Sequence, residues 1–127
     1  IKGVVKNVLD HDLEFPKETN AIWMSQFLDC FSEDEIERIL TNISNTIDEN
    51  TSVYILELFW DRQRDIEAAY CLHGTSLYFT AVANGNSKIY HSKDLYRAIQ
   101  KSGLEVVLDE DNVGEFHTLL KCRKARV

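Results

Sequence analysis

Two apolar runs with an amphipathic helix between them limit this chain more than any other feature. Ala21-Ile22-Trp23-Met24 and Val53-Tyr54-Ile55-Leu56-Glu57-Leu58-Phe59 are almost wholly apolar, as strands covered on both faces are. Glu57 is the exception. Between them Ser32-Glu33-Asp34-Glu35 has the form of a capping box, in which a serine hydroxyl and a glutamate three residues on each satisfy an orphan N–H. Ile36, Ile39, Leu40, Ile43 and Ile47 then recur at the helical period. The first run ends in polar Ser25 and Gln26 before the chain turns through Phe27 to Phe31 into the helix. Such strand ends are where open α/β sheets bind ligands.

The rest of the chain fits around this unit. Ile1 to Leu9 is β-branched and apolar enough for a strand, with Asn7 to Asp12 as its polar exit, and Phe15-Pro16 marks a turn. Arg62 to Ala83 reads as helical, with Gly74 as a candidate break, and Asn84-Gly85-Asn86-Ser87 reads as a loop. Ser92 caps a shorter helix with Leu95, Tyr96, Ala98 and Ile99 inward, and Gly103 stops it. Leu104 to Leu108 and Glu115 to Cys122 read as strands joined by a hairpin through Asp109 to Gly114. The order β-β-α-β-α-α-β-β predicts an α/β layered sheet with an antiparallel end.

Composition narrows the function classes. With 127 residues and a hydrophobic fraction of 44% the chain is one globular domain or part of one. A net charge of -7 argues against a dedicated nucleic-acid binder, and the basic cluster Lys121, Arg123, Lys124 and Arg126 reads as a solubilising end. Cys30, Cys71 and Cys122 show no CxxC spacing, so reduced thiols in a cytoplasmic protein are expected. His11, His73, His91 and His117 are scattered, which predicts no metal site. No apolar run suits a membrane span. The chain opens on Ile1 inside an apolar run and reads as a piece of something longer.

Three segments carry a resemblance: FLDCFSEDEIERIL after an apolar strand, SVYILELFWD, and SLYFTAVANGNSKIYHSKDLYRAIQKSGLEV. Together they resemble the C-terminal half of class I S-adenosylmethionine-dependent O-methyltransferases, in the small-molecule branch that includes plant caffeate and bacterial antibiotic-pathway enzymes. The resemblance covers nearly the whole chain. It implies a partial Rossmann-like methyltransferase sheet, strands 3–7 of seven, with flanking helices and an antiparallel closing strand. Residues 1–127 would then be the C-terminal portion of a catalytic domain. The family's glycine-rich cofactor loop would lie upstream of Ile1, so these residues alone are expected to bind S-adenosylmethionine weakly or not at all.

The resemblance also implies roles for individual residues. Asn7 falls where the family has an aspartate facing the adenine amino group, Val8 at an apolar adenine contact, Phe31 at an aromatic one, and Ser25 at a polar strand end facing the cofactor. Asp29 stands at the position of the general-base histidine, and Glu57 matches the glutamate that orients that base, so the two would form a carboxylate pair. The second orienting glutamate falls on Ile89. Thr80 and Asn84 align with substrate-lining positions. The implied reaction is methyl transfer to a small-molecule hydroxyl in a parent enzyme. The alternative is a non-catalytic, methyltransferase-like binding or dimerisation module, to which Asn7, Asp29 and Ile89 lean. Asp29 also reads as an exposed turn residue, and Trp23 as core. Without strands 1 and 2, strand 4 (Ala21 to Met24) has an open edge, which predicts pairing with strand 3 (Ile1 to Leu9) or homo-oligomers through that edge.

Overall fold

The computed structural model describes residues 1–126. Its sheet has four strands: β1 (Ala21–Ser25), β2 (Ser52–Leu58), β3 (Leu104–Val113) and β4 (His117–Lys124). They lie in the order β1-β2-β4-β3, with β1 and β2 parallel and the other pairs antiparallel. Three α-helices accompany them: α1 (Glu33–Thr46), α2 (Ile66–Tyr78) and α3 (Ser92–Lys101). The expected α/β class with an antiparallel closing pair is what forms.

Helix α1 begins at the capping box read from the sequence. Ser32 Oγ accepts from Glu35 N–H at 3.3 Å, and Glu35 Oε2 accepts from Ser32 N–H at 2.9 Å. Replacing Ser32 by alanine is expected to cost about 1 kcal/mol in chemical denaturation, with the native circular dichroism spectrum retained. Ile36, Ile39, Leu40, Ile43 and Ile47 are all buried, against Val53, Ile55 and Phe59 of the β2 segment and Leu95, Ala98 and Ile99 of α3. At the end of α3, Gly103 takes φ +77°, and a Cβ there would stand 3.3 Å from Ser44 Oγ. A left-handed residue packed this closely on α1 is best supplied by glycine.

Several expectations give way. Ile1 to Leu9 forms no strand; residues 1–20 lack regular structure apart from turns, and Asn7 closes one by accepting from Leu9 N–H. An apolar run becomes a strand only where a neighbour completes its ladder, and none reaches this one. Helix α2 runs through Gly74 without a break and continues into a π turn over Phe79–Ala83. His91, not Ser92, is the N-cap of α3, its Nδ1 accepting from Lys93 N–H at 3.1 Å, while Ser92 N and Oγ donate to Asp61. Asp109 to Val113 extends β3 instead of forming the hairpin loop, because Arg62 draws in Asp109 and Asp111. The basic cluster is structural in part: Lys121, Arg123 and Lys124 belong to β4, and Arg123 pairs with Glu105 at 2.6 Å.

The sheet is covered unequally. Val53, Ile55 and Glu57 face α1 and α3, together with their partners Cys122, Leu120 and Thr118. Tyr54, Leu56, Leu58, Leu119 and His117 point to the opposite face and are only half-buried. Trp23 lies beside Tyr54 there and is 58% exposed, so it is not core. Of the three helices only α2 approaches this face, and it buries none of its own residues there.

Candidate functional site

Strands β1 and β2 end side by side, and the chain leaving β1 folds over the end of β2. Gln26 N–H donates to Leu56 O at 2.8 Å, and a short 3-10 turn (Leu28–Cys30) follows. The turn is fastened by Glu57. Its Oε1 accepts from Phe27 N–H at 2.9 Å and from Leu28 N–H at 2.8 Å, while Oε2 is buried without a partner. Glu57 is 3% exposed. Burial above all, and the nearby Asp29 carboxylate, push its pKa up to about 7.

Asp29 is half-buried, and desolvation raises its pKa as well. Its Oδ1 accepts from the Cys30 thiol at 3.6 Å, and its carbonyl oxygen accepts from Lys88 N–H at 3.1 Å. Partial burial and this same carboxylate push the Cys30 thiol pKa up, the opposite of what activates a nucleophile. Asp29 and Glu57 border one cavity with Leu28, Ile36, Leu58, Phe59, Tyr90 and Leu95. Its volume of about 10 Å³ holds a single water molecule at most. No side-chain hydrogen bond joins the two carboxylates among the described residues. Glu57 therefore acts on Asp29 through the backbone, by fixing the turn that carries it.

The other sequence-derived residues divide into three groups. Phe31 is half-buried beside the Asp29 turn, edge-on to Phe27 at 5.1 Å, and its carbonyl accepts from Tyr90 Oη–H. Ser25 is exposed at the end of β1. Thr80 and Asn84 meet around Ser87: Thr80 Oγ1 donates to Ser87 O at 3.2 Å, and Asn84 Oδ1 accepts from Asn86 and Ser87 N–H at 2.9 Å each. Their polar atoms shape the loop that delivers Lys88 to Asp29. Asn7 and Val8 lie elsewhere, in a segment docked along α1 through Asn42 Nδ2 donating to Asp10 O at 3.0 Å. Asn42 is roughly 15 Å along the helix from Ser32. Ile89, at the second glutamate position, is buried.

A larger cavity, of about 530 Å³, lies on the opposite face of the same strand ends. Leu58 and His117, neighbours across β2 and β4, form its floor, and Ala68, Cys71 and Leu72 of α2 form one wall. Gln26 reaches it from the end of β1 and meets His117, Nε2 to Nε2, at 2.5 Å. Gln26 holds φ +46°, a backbone conformation that non-glycine residues seldom adopt and that is enriched at functional sites. Sequence reading missed this cavity. The one signal available was the polar residue directly after an apolar strand, since Gln26 and His117 are 91 positions apart.

These features sit on a fold seen in solved structures. The mitomycin 7-O-methyltransferase MmcR superposes with a TM-score of 0.74 at 15% identity, over 94% of this chain and 33% of that one. OxaC in complex with sinefungin and meleagrin gives 0.76 at 17%, over 98% and 30%. The O-methyltransferase NcsB1 from neocarzinostatin biosynthesis, in complex with S-adenosylmethionine and 2-hydroxy-5-methyl naphthoic acid, gives 0.72 at 15%, over 95% and 32%. The shared fold is that of O-methyltransferases. The chain spans about a third of the length of these structures. No family model matches the sequence, and no curated protein matches it.

Ser25 leaves its hydroxyl open at a strand end and Phe31 offers a partly exposed ring, whereas Asn7 Nδ2 is tied to Asp10 at 2.8 Å. Gly103 and Gly114 flank β3, but no glycine follows β1 or β2, where a close backbone approach to a nucleoside cofactor would need one. Among the described residues no cluster of His, Cys, Asp and Glu side chains is arranged to hold a metal ion, and no helix is long and apolar enough to cross a membrane.

Proposed function

We propose that this chain is the acceptor-side part of an S-adenosylmethionine-dependent O-methyltransferase acting on a small-molecule hydroxyl. The observation that carries the reading is the superposition of 94–98% of the chain on O-methyltransferases with TM-scores of 0.72–0.76. When bound, the cofactor supplies an electrophilic methyl group. Ser25 and Phe31 form part of its seat, and Asn7 and Val8 contribute only if the segment before β1 repacks. Asp29 faces the acceptor, Glu57 holds the Asp29 turn in place, and Thr80 and Asn84 hold the neighbouring loop. Much of the rate in such a displacement comes from aligning the two reactants. A carboxylate whose pKa burial has raised is a better proton acceptor than an exposed one.

Calorimetric titration with S-adenosylhomocysteine tests the reading. A longer parent protein containing this chain is expected to bind it, and the 127-residue protein to release no measurable heat. Absence of heat from the parent at saturating ligand removes the enzyme reading. The free thiols of Cys30, Cys71 and Cys122 suit a reducing, cytoplasmic setting.

One observation favours a second reading, a non-catalytic association module. Strand β1 is an edge strand that carries exposed Trp23. A second copy paired along this edge would cover both. Sedimentation velocity is then expected to show a dimer that Trp23→Glu converts to monomer, and a monomeric wild type at high concentration ends that reading.

A further inference from the structure

Helix α2 and the π turn that continues it have two unlike sides. Ala68, Ala69, Leu72, Ser76 and Phe79, on one side, are half-buried. The other side carries Ile66, Tyr70, Gly74, Tyr78 and Val82, each four residues from the next, with Cys71 and Leu77 beside them. Residues four apart form one of the ridges by which helices pack on each other. Ile66, Tyr70, Leu77, Tyr78 and Val82 are 56–80% exposed. No Lys, Arg, Asp or Glu occurs in residues 68–87, although these types make up 28% of the chain. A solvated helix face is ordinarily charged, and a contiguous apolar one marks an interaction surface.

The pattern of the ridge says what covers it. Gly74 stands at its centre, and a Cβ there would meet nothing within 4 Å. Glycine inside a helix costs about 1 kcal/mol against alanine, and no contact within the chain asks for it. What it provides is a notch where a second backbone can come close. The ridge also reads alike from either end: Tyr70 and Tyr78 flank the notch, and Ile66 and Val82 follow outside them. A two-fold interface requires this self-complementarity, since residue i meets j wherever j meets i.

We propose that this face of α2 is a homodimer interface, two copies crossing antiparallel at about 50° with Gly74 against Gly74 on the two-fold axis. Tyr70 then lies against Tyr78 of the second copy, and Ile66 against its Val82. Glu67, the one charge on this side, falls near the rim and keeps its carboxylate in water. Five large side chains exposing on the order of 120 Å² each remove roughly 1,200 Å² in total, the lower bound of specific interfaces. The surface is distinct from the β1 edge, and it requires nothing of the methyl-transfer reading.

Sedimentation velocity of the 127-residue protein tests the proposal. An interface of this size suits a monomer at about 5 µM that becomes a dimer towards about 500 µM. Gly74→Leu should weaken the dimer at least about tenfold by filling the notch, even though it adds apolar surface. Tyr70→Lys should weaken it by about as much, by placing a charge in the apolar centre. Trp23→Glu should leave it unchanged. Both α2 substitutions project into solvent in the single chain, so the circular dichroism spectrum should stay native. Loss of the dimer in these two variants, with Trp23→Glu unaffected, supports the proposal. Three results overturn it: a wild type that stays monomeric throughout, a Gly74→Leu protein that associates as tightly as wild type or more tightly, or a dimer that Trp23→Glu dissociates and the α2 variants leave intact.

Discussion

Between about pH 4.5 and about pH 7 the protein is expected to lose about 3 kcal/mol of stability, and Glu57→Gln to abolish most of that loss. The sign follows from where the proton sits. In the folded chain Glu57 binds its proton up to about pH 7, whereas an unfolded glutamate releases it near 4.5. Across that window the native state holds the extra proton, so stability falls as pH rises and levels off once both states are ionised. Glutamine keeps an oxygen for Phe27 and Leu28 N–H and carries no charge to desolvate. Wild type and variant should therefore match at about pH 4 and separate by about 3 kcal/mol at about pH 8, the variant being the more stable. Urea denaturation at the two pH values measures this. Parallel profiles would mean that Oε2 finds a partner in solution and that Glu57 is not desolvated as described.

The second large effect is in the core. Phe59, 1% exposed, leaves the end of β2 to pack among the residues of α1 and α3, and its carbonyl accepts from Arg62 N–H at 3.2 Å and from Gln63 Nε2 at 2.8 Å. Phe59→Ala is expected to cost about 4 kcal/mol, from lost transfer free energy and the cavity left behind. Domains of this size have a total stability of about 5–15 kcal/mol, so the variant should be partly unfolded at physiological temperature. Leu77→Ala makes the contrasting measurement. That side chain is 68% exposed on α2, and its loss should change stability by less than about 0.5 kcal/mol. If the two substitutions cost similar amounts in denaturant, the described core is not the one that holds the chain together.

How much could be read from the residues depended on how local each determinant is. The strand–helix–strand unit from Ala21 to Phe59 was legible because the capping box, the helical period and the apolar strands agree within a few turns of chain. Glu57 stood out for a related reason, as a carboxylate in an apolar strand needs donors, and it has two. Ile1 to Leu9 misled because propensity makes no strand without a partner. Trp23 misled because an apolar run records what a strand tolerates, not which of its faces is covered. The extension of β3 through Asp109 and Asp111 depended on Arg62, 47 and 49 residues away in sequence. The larger cavity draws on three distant segments, around Gln26, around Leu72 and around His117, and no window of sequence contains them.

Helix α2 buries none of its residues. It is held near its middle by Trp60, whose ring lies 4.7 Å from that of His73, and at its end by the π turn and the Asn84 loop. Little apolar surface opposes its departure from the sheet, so its amide protons should exchange with solvent through a local opening far less costly than global unfolding. Because α2 supplies one wall of the larger cavity, that opening is also the way in. Anything bound there would slow the helix's exchange without touching that of α1, making α2 a hinged wall whose rest position is set by its occupant.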